Sequence, residues 1–160
     1  MIRNKARTNG HSKETVGIDK LTGVWNRAGF VAAATPMFVS CQRRESPIAL
    51  AYFDFHATDE TATTDGTVDR ILMAMGELLG KAFRASDIVG RVDTLRFAVL
   101  LADCTDEALA AIDGVRALTD ATAPQRLTLT AGMVRSAPNG TLDDLMQAAD
   151  AHTREIKRDN

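Results

Sequence analysis

An α/β fold, with a β-sheet covered by helices, is what the hydrophobic pattern of this chain predicts. Three observations carry that expectation. The uninterrupted apolar run Ile48-Ala49-Leu50-Ala51-Tyr52-Phe53 fits a strand buried on both faces. Val68, Ile71, Leu72, Met75, Leu78, Leu79 and Ala82 recur at helical spacing. Helical and strand-like patterns then alternate along the chain, as layered α/β domains require.

Taken in order, the first helix is predicted from Asn26 to about Arg43, on its alanines and on Phe30, Val31, Phe38 and Val39, with Pro36 straining its middle. Pro47 opens the apolar strand, which is expected to end at Asp54. Residues 56–67, rich in Thr, Asp and Ala, read as a polar loop, and the second helix runs from Val68 to about Arg84. Ile88–Val92 and Leu95–Leu101 form a predicted hairpin. A helix from Thr105 to about Leu118 follows, with Asp106 and Glu107 in its favourable first turn. Leu127–Val134 is a further strand, and Thr141-Leu142-Asp143-Asp144 has the form of a capping box opening the last helix.

Composition bounds the function. A length of 160 residues suits one domain with its own core, and a net charge of −2 gives no reason to expect a nucleic-acid or anionic-membrane surface. Cys41 and Cys104 have no metal-ligand spacing and form no disulfide framework, which fits a reducing cytoplasm. No apolar run approaches the length of a membrane span, and the start has no signal-peptide core. Residues 1–17, with Arg3, Lys5, Arg7 and Lys13, read as a flexible basic lead-in to a domain over 18–160, with no sensor domain beside it.

The stretch Asp19-Lys20-Leu21-Thr22-Gly23-Val24-Trp25-Asn26-Arg27-Ala28-Gly29-Phe30 matches an opening signature at every fixed position, Asp-x-Leu-Thr-Gly-x-x-Asn-Arg-x-x-Phe. Leu127–Met133 and Leu142–Asp150, followed by Lys157, match a late strand and a last helix. On these residues the chain resembles the bacterial GGDEF domains, the diguanylate cyclase family. The resemblance implies a palm-like, nucleotidyl-cyclase type of central mixed β-sheet flanked by helices. It also implies a reaction in which two GTP molecules condense across a dimer with divalent cations.

In the signature slot of that family, Gly-Gly-(Asp/Glu)-Glu-Phe, this chain reads Asp93-Thr94-Leu95-Arg96-Phe97. Asp54, at the end of the central strand, is the one carboxylate of the family's metal set that remains. Two-metal chemistry needs several hard oxygen ligands, whereas Leu95 offers no side-chain ligand and Arg96 brings a permanent positive charge. Alternation puts Leu95 and Phe97 on one face and Arg96 on the other, as a solvated strand residue or as an ion-pair partner of Asp54. A type I′ turn at Asp93-Thr94 would strain the β-branched Thr94, so a changed turn is expected. Magnesium is not expected to bind, and no catalytic residues are assigned: Asp54, Leu95 and Arg96 are vestigial positions.

The nucleotide pocket is thinned as well. Where the family carries Phe-Lys-x-x-Asn-Asp with a guanine-reading Asn, this chain has Ala57–Thr64, shorter by about two residues and without Asn. Asp69 matches a second guanine contact and Lys157 a phosphate-binding lysine; each is equally a residue of a helix's first or last turn. Arg84-Ala85-Ser86-Asp87 retains the Arg-x-x-Asp of the family's inhibitory cyclic di-GMP site. A guanidinium fork suits phosphate, and a carboxylate suits guanine N–H donors. The other reading makes Arg84 a helix cap and Asp87 a turn residue. The supporting arginine of the next helix is replaced by Gly114, with Arg116 two residues on.

The expectation is therefore a catalytically inactive signalling domain that is a cyclic di-GMP receptor through Arg84 and Asp87, with a partner protein and a homodimer as its associations. A protein-interaction module without nucleotide binding is the alternative, and an active diguanylate cyclase a distant third.

Overall fold

The computed structural model describes residues 16–57, 66–122 and 127–159. The chain folds as β1 (Trp25–Asn26), α1 (Arg27–Arg43), β2 (Ile48–Ala57), α2 (Thr67–Ala82), β3 (Ile88–Asp93), β4 (Arg96–Ala102), α3 (Asp106–Thr122), β5 (Leu127–Arg135) and α4 (Leu142–Asp159). The strands form one mixed sheet in the order β1-β3-β4-β2-β5. The β1–β3 pair is parallel, and the β3–β4, β4–β2 and β2–β5 pairs are antiparallel. β2 lies between β4 and β5, so both its edges are hydrogen-bonded and both its faces are covered. This is why its sequence is continuously apolar rather than alternating.

Two cores follow from the pleat. Ala49, Ala51, Phe53 and Phe55 of β2 pack with Phe97, Val99 and Leu101 of β4 against Leu72, Met75 and Leu79 of α2 and Ile112 of α3. Leu50 and Tyr52 pack with Ala98 and Leu100 against Phe30 and Phe38 of α1 and Leu145 and Met146 of α4. Phe53, Phe97 and Leu100 are completely buried, as expected of central strands.

The opening signature is a scaffold. The Asp19 carboxylate accepts from the Thr22 backbone N–H at 3.1 Å and from its hydroxyl at 2.6 Å, and Arg91 of β3 pairs with it at 3.2 Å. Gly23 sits at φ 77°, where a side chain would be strained. Asn26 caps α1 by accepting from the Gly29 N–H at 2.9 Å. At Gly29 an added Cβ would stand 2.1 Å from the Gly17 carbonyl oxygen, so only glycine fits beside that backbone. Phe30 then enters the core.

Several expected boundaries shift. α1 runs through Pro36 without interruption. β2 continues past Asp54 to Ala57, because β5 pairs with it as far as Leu127 opposite Ala57. α2 ends at Ala82 rather than Arg84, and α3 extends to Thr122 rather than Leu118. The two-residue β1, too short for any sequence pattern, was not foreseen. The capping box of α4 forms as read: the Asp144 N–H donates to Thr141 Oγ1, and the Thr141 N–H to the Asp144 carboxylate, both at 3.0 Å. The lead-in residues 1–15 and the loop segment 58–65 lie outside the described residues.

Candidate functional site

The end of β2 that meets the β3–β4 turn is where the sequence places Asp54, Leu95 and Arg96. Asp54 pairs with Arg96 in the β2–β4 register, so the two side chains share a face. Arg96 Nη2 lies 3.0 Å from Asp54 Oδ2, and Lys157 Nζ of α4 lies 2.5 Å from the same oxygen. Arg96 Nη1 reaches Asp150 of α4 at 2.7 Å, and its guanidinium carbon stands 4.7 Å from the centre of the Tyr52 ring. Arg154 pairs with the other oxygen of Asp150 at 3.1 Å. Of the two readings of Arg96, the ion pair with Asp54 is the observed one, and Arg96 is largely buried, with a side chain 16% exposed.

The electrostatics follow from this packing. Burial opposes the Arg96 charge, but its hydrogen bonds to Asp150 and Asp54 outweigh that penalty and the net shift is upward. The hydrogen bond from Arg96 holds the Asp150 carboxyl below its usual range. Burial pushes the Tyr52 phenol up, against the pull of Arg96. His56, whose Nε2 is 3.0 Å from Thr130 Oγ1, is pushed down by burial and then by Lys157. Among the described residues, no group of three or more His, Cys, Asp or Glu side chains is placed to hold a metal ion.

The centre of the turn beside this cluster is displaced from the expected place. Asp93 pairs with Arg96 after a register shift between Arg91 and Asp93, so the turn residues are Thr94 and Leu95 rather than Asp93 and Thr94. None of them has a positive φ. The Thr94 N–H donates to the Asp93 carboxylate at 2.8 Å, Arg91 donates to the Thr94 carbonyl, and the Leu95 carbonyl accepts from the Phe55 N–H at 2.8 Å. Leu95 itself packs against the core.

The remaining predicted residues separate. Asp69 stands exposed in the first turn of α2, while Lys157 is drawn into the Asp54 cluster. Arg84 and Asp87 come together, but chiefly with each other. The Asp87 carboxylate accepts from the Arg84 backbone N–H at 3.0 Å, from Arg84 Nη2 at 3.1 Å and Nε at 3.3 Å, and from the Ala102 N–H at 3.3 Å. Asp87 is 1% exposed, so in this conformation its carboxylate is not presented to a guanine edge. Arg84 also donates to the Ala102 carbonyl at 2.5 Å, yet its side chain remains 43% exposed. The hydrogen bond with Asp87 raises its already high affinity for the proton.

Sequence reasoning missed Asp150 and Tyr52 as partners of Arg96. A signal for the first was present. Asp150, Arg154 and Lys157 are spaced by four and three residues, which places them on one helical face.

A mixed sheet with helices on both faces, a signature-built entry and a hairpin at the strand end define a cyclase-type palm domain. The family model described as "Diguanylate cyclase, GGDEF domain" matches residues 16–160, and this chain belongs to the GGDEF family. The GGDEF domain of DgcB from Caulobacter crescentus, solved in complex with c-di-GMP, superposes with a TM-score of 0.80 at 18% identity, over 95% of this chain and 93% of that one. A microbial GGDEF domain solved for its interaction mode with cyclic di-GMP gives 0.81 at 22% identity, over 94% and 96%. The diguanylate cyclase SiaD of Pseudomonas aeruginosa, in complex with its activator SiaC, gives 0.79 at 23% identity, over 92% of this chain and 60% of that one. No curated protein sequence matches.

Proposed function

We propose that this chain is a catalytically inactive GGDEF domain that receives cyclic di-GMP through Arg84. The observation that carries the reading is a contrast between two sites. At Asp54, the chain's own cations occupy the carboxylate, whereas at Arg84 the guanidinium is held in place and left partly open.

The first site does not fit the divalent ions of the family. Asp54 already holds Arg96 and Lys157, the Leu95 carbonyl is engaged by the Phe55 N–H, and Leu95 and Arg96 put no carboxylate at the acidic positions of the signature slot. Two unit charges about 4 Å apart repel by about 4 kcal/mol at an effective dielectric of 20, and a divalent ion doubles that figure. The second site keeps chemistry suited to a phosphodiester. Bonds to Asp87 and Ala102 engage Nε and Nη2 of Arg84 and take no part of Nη1. Asp87 is then a positioning residue that fixes the fork, and the ligand contact falls to Arg84. The cyclic di-GMP complexes of similar domains support the same ligand class.

Calorimetric titration tests the proposal. Cyclic di-GMP should bind with micromolar affinity and promote dimers, GTP should not compete, and Arg84→Ala should weaken binding by roughly ten- to a hundred-fold. Unchanged heat in Arg84→Ala would move the ligand elsewhere. In a turnover assay with GTP and magnesium the protein should make no product, and turnover matching an intact cyclase would refute inactivity. The second reading, an interaction module without nucleotide, draws on the closed state of Asp87. Absence of binding well above micromolar ligand would select it.

A further inference from the structure

We infer that Arg135 supplies a second guanidinium to the Arg84 site, in place of the arginine that position 114 lacks. The inference rests on the receptor reading above and adds to it how a ligand with two phosphodiesters is held.

Helix α3 gives Arg84 no help. A Cβ at Gly114 would meet nothing within 4 Å, so that position touches no neighbouring element. Arg116 is committed elsewhere, with Nη2 donating to the Ala131 carbonyl of β5 at 3.0 Å and Nη1 4.0 Å from Asp113.

The sheet register brings another arginine to the right end and the right face. Arg135, the last residue of β5, is the cross-strand partner of Ala49, and Ala49 is in turn the partner of Leu101. Cross-strand partners project to the same side of a sheet. For this row that side is the α2–α3 core, which contains Ala49, Leu101, Cys104 and Phe83. Arg84 follows Phe83 directly and is anchored on the carbonyl of Ala102, the neighbour of Leu101. The backbone of Arg135 therefore lies two strand spacings from β4, roughly 10 Å, a gap that two arginine side chains can close around one ligand.

Cys104 reports on the space between them. Burial pushes its thiol up, while Arg135 first and Arg84 second pull it down, so both guanidiniums act on one buried sulfur. Asp87 and Asp106 act on it in the opposite sense, which keeps the cluster from being a bare cationic patch. Arg135 is exposed, and Arg84 partly so. A cyclic dinucleotide carries two separated phosphodiesters, each of one negative charge. One fork can grip one of them, and a pair on one face can grip both.

Titration of cyclic di-GMP into wild type, Arg135→Ala, Arg135→Gln and Arg116→Ala decides the matter, with thermal melts to confirm folding. Both Arg135 variants should bind about ten-fold more weakly, the effect of one lost charge-assisted contact, and Arg116→Ala should match wild type. If wild type binds, Arg84→Ala weakens it and the Arg135 variants match wild type, this inference is overturned and the Arg84 reading stands. If wild type does not bind, both are overturned.

Discussion

The buried Nε of Arg96 has no hydrogen-bond partner among the described residues, although its two Nη groups are both paired. An orphaned donor of this kind costs about 1–3 kcal/mol, so the cluster is not optimal, but each single truncation in it leaves something worse. Asp54→Ala would strand Lys157 and half of Arg96, and we expect a loss of about 1–3 kcal/mol in denaturant unfolding rather than a gain. A stabilised Asp54→Ala would mean that desolvation of the carboxylate outweighs its two ion pairs. His56 gives a separate test. Its folded pKa lies below 6.5, chiefly through burial and then through Lys157, so the unfolded chain takes up the proton first as pH falls. The stability that His56 contributes is complete above the unfolded value and is lost as pH falls through the lower folded value. Unfolding free energies at about pH 7.5 and about pH 5.5 should therefore differ less in His56→Gln than in wild type. An unchanged difference would assign the pH dependence to other groups.

At the scale of the element, β4 decides the fold and the hairpin decides the site. Phe97 packs with Phe53 and Val99 in a core it enters completely buried, so Phe97→Ala should cost about 3–5 kcal/mol, measured by the same denaturant titration. A small loss would place Phe97 outside the core. β4 was legible because its apolar run has no polar interruption, and α4 because Thr141 and Asp144 announce its start. The hairpin was legible in outline only. Its turn residues are shifted by one because a register irregularity near Arg91 absorbs a residue, and no local pattern announces such a bulge. Partners across elements were the hardest to read. Arg96 could be assigned to a face, but that Asp150 and Tyr52 would meet it depends on how α4 lies against β2, which spacing alone does not fix. The burial of Asp87 was illegible for a similar reason. Its chemistry suits a ligand, yet the Ala102 N–H that buries it arrives from β4, fifteen residues on.

Across the whole molecule, the Asp54 cluster ties α4 to the sheet where the family implies divalent ions. Arg96 of β4 reaches Asp150 of α4, and Lys157 of α4 returns to Asp54 of β2, so the tie is closed by side chains of this chain. If the proposed inactivity holds, the fold's stability should be indifferent to divalent cations. A ligand that binds only the folded state stabilises it by about 2.7 kcal/mol at a hundred times its dissociation constant. For a domain of this size that corresponds to a melting shift on the order of 5–10 °C. Melting wild type with and without excess magnesium should show no such shift. The variant Arg96→Glu supplies a control, since it replaces the cation by a carboxylate beside Asp54 and leaves Lys157 as the remaining counter-charge. That variant should melt lower than wild type in chelator and recover part of the loss when magnesium is added. A magnesium-dependent rise in wild type itself would show that Arg96 and Lys157 yield the site to the metal, and with it the proposed inactivity would fail.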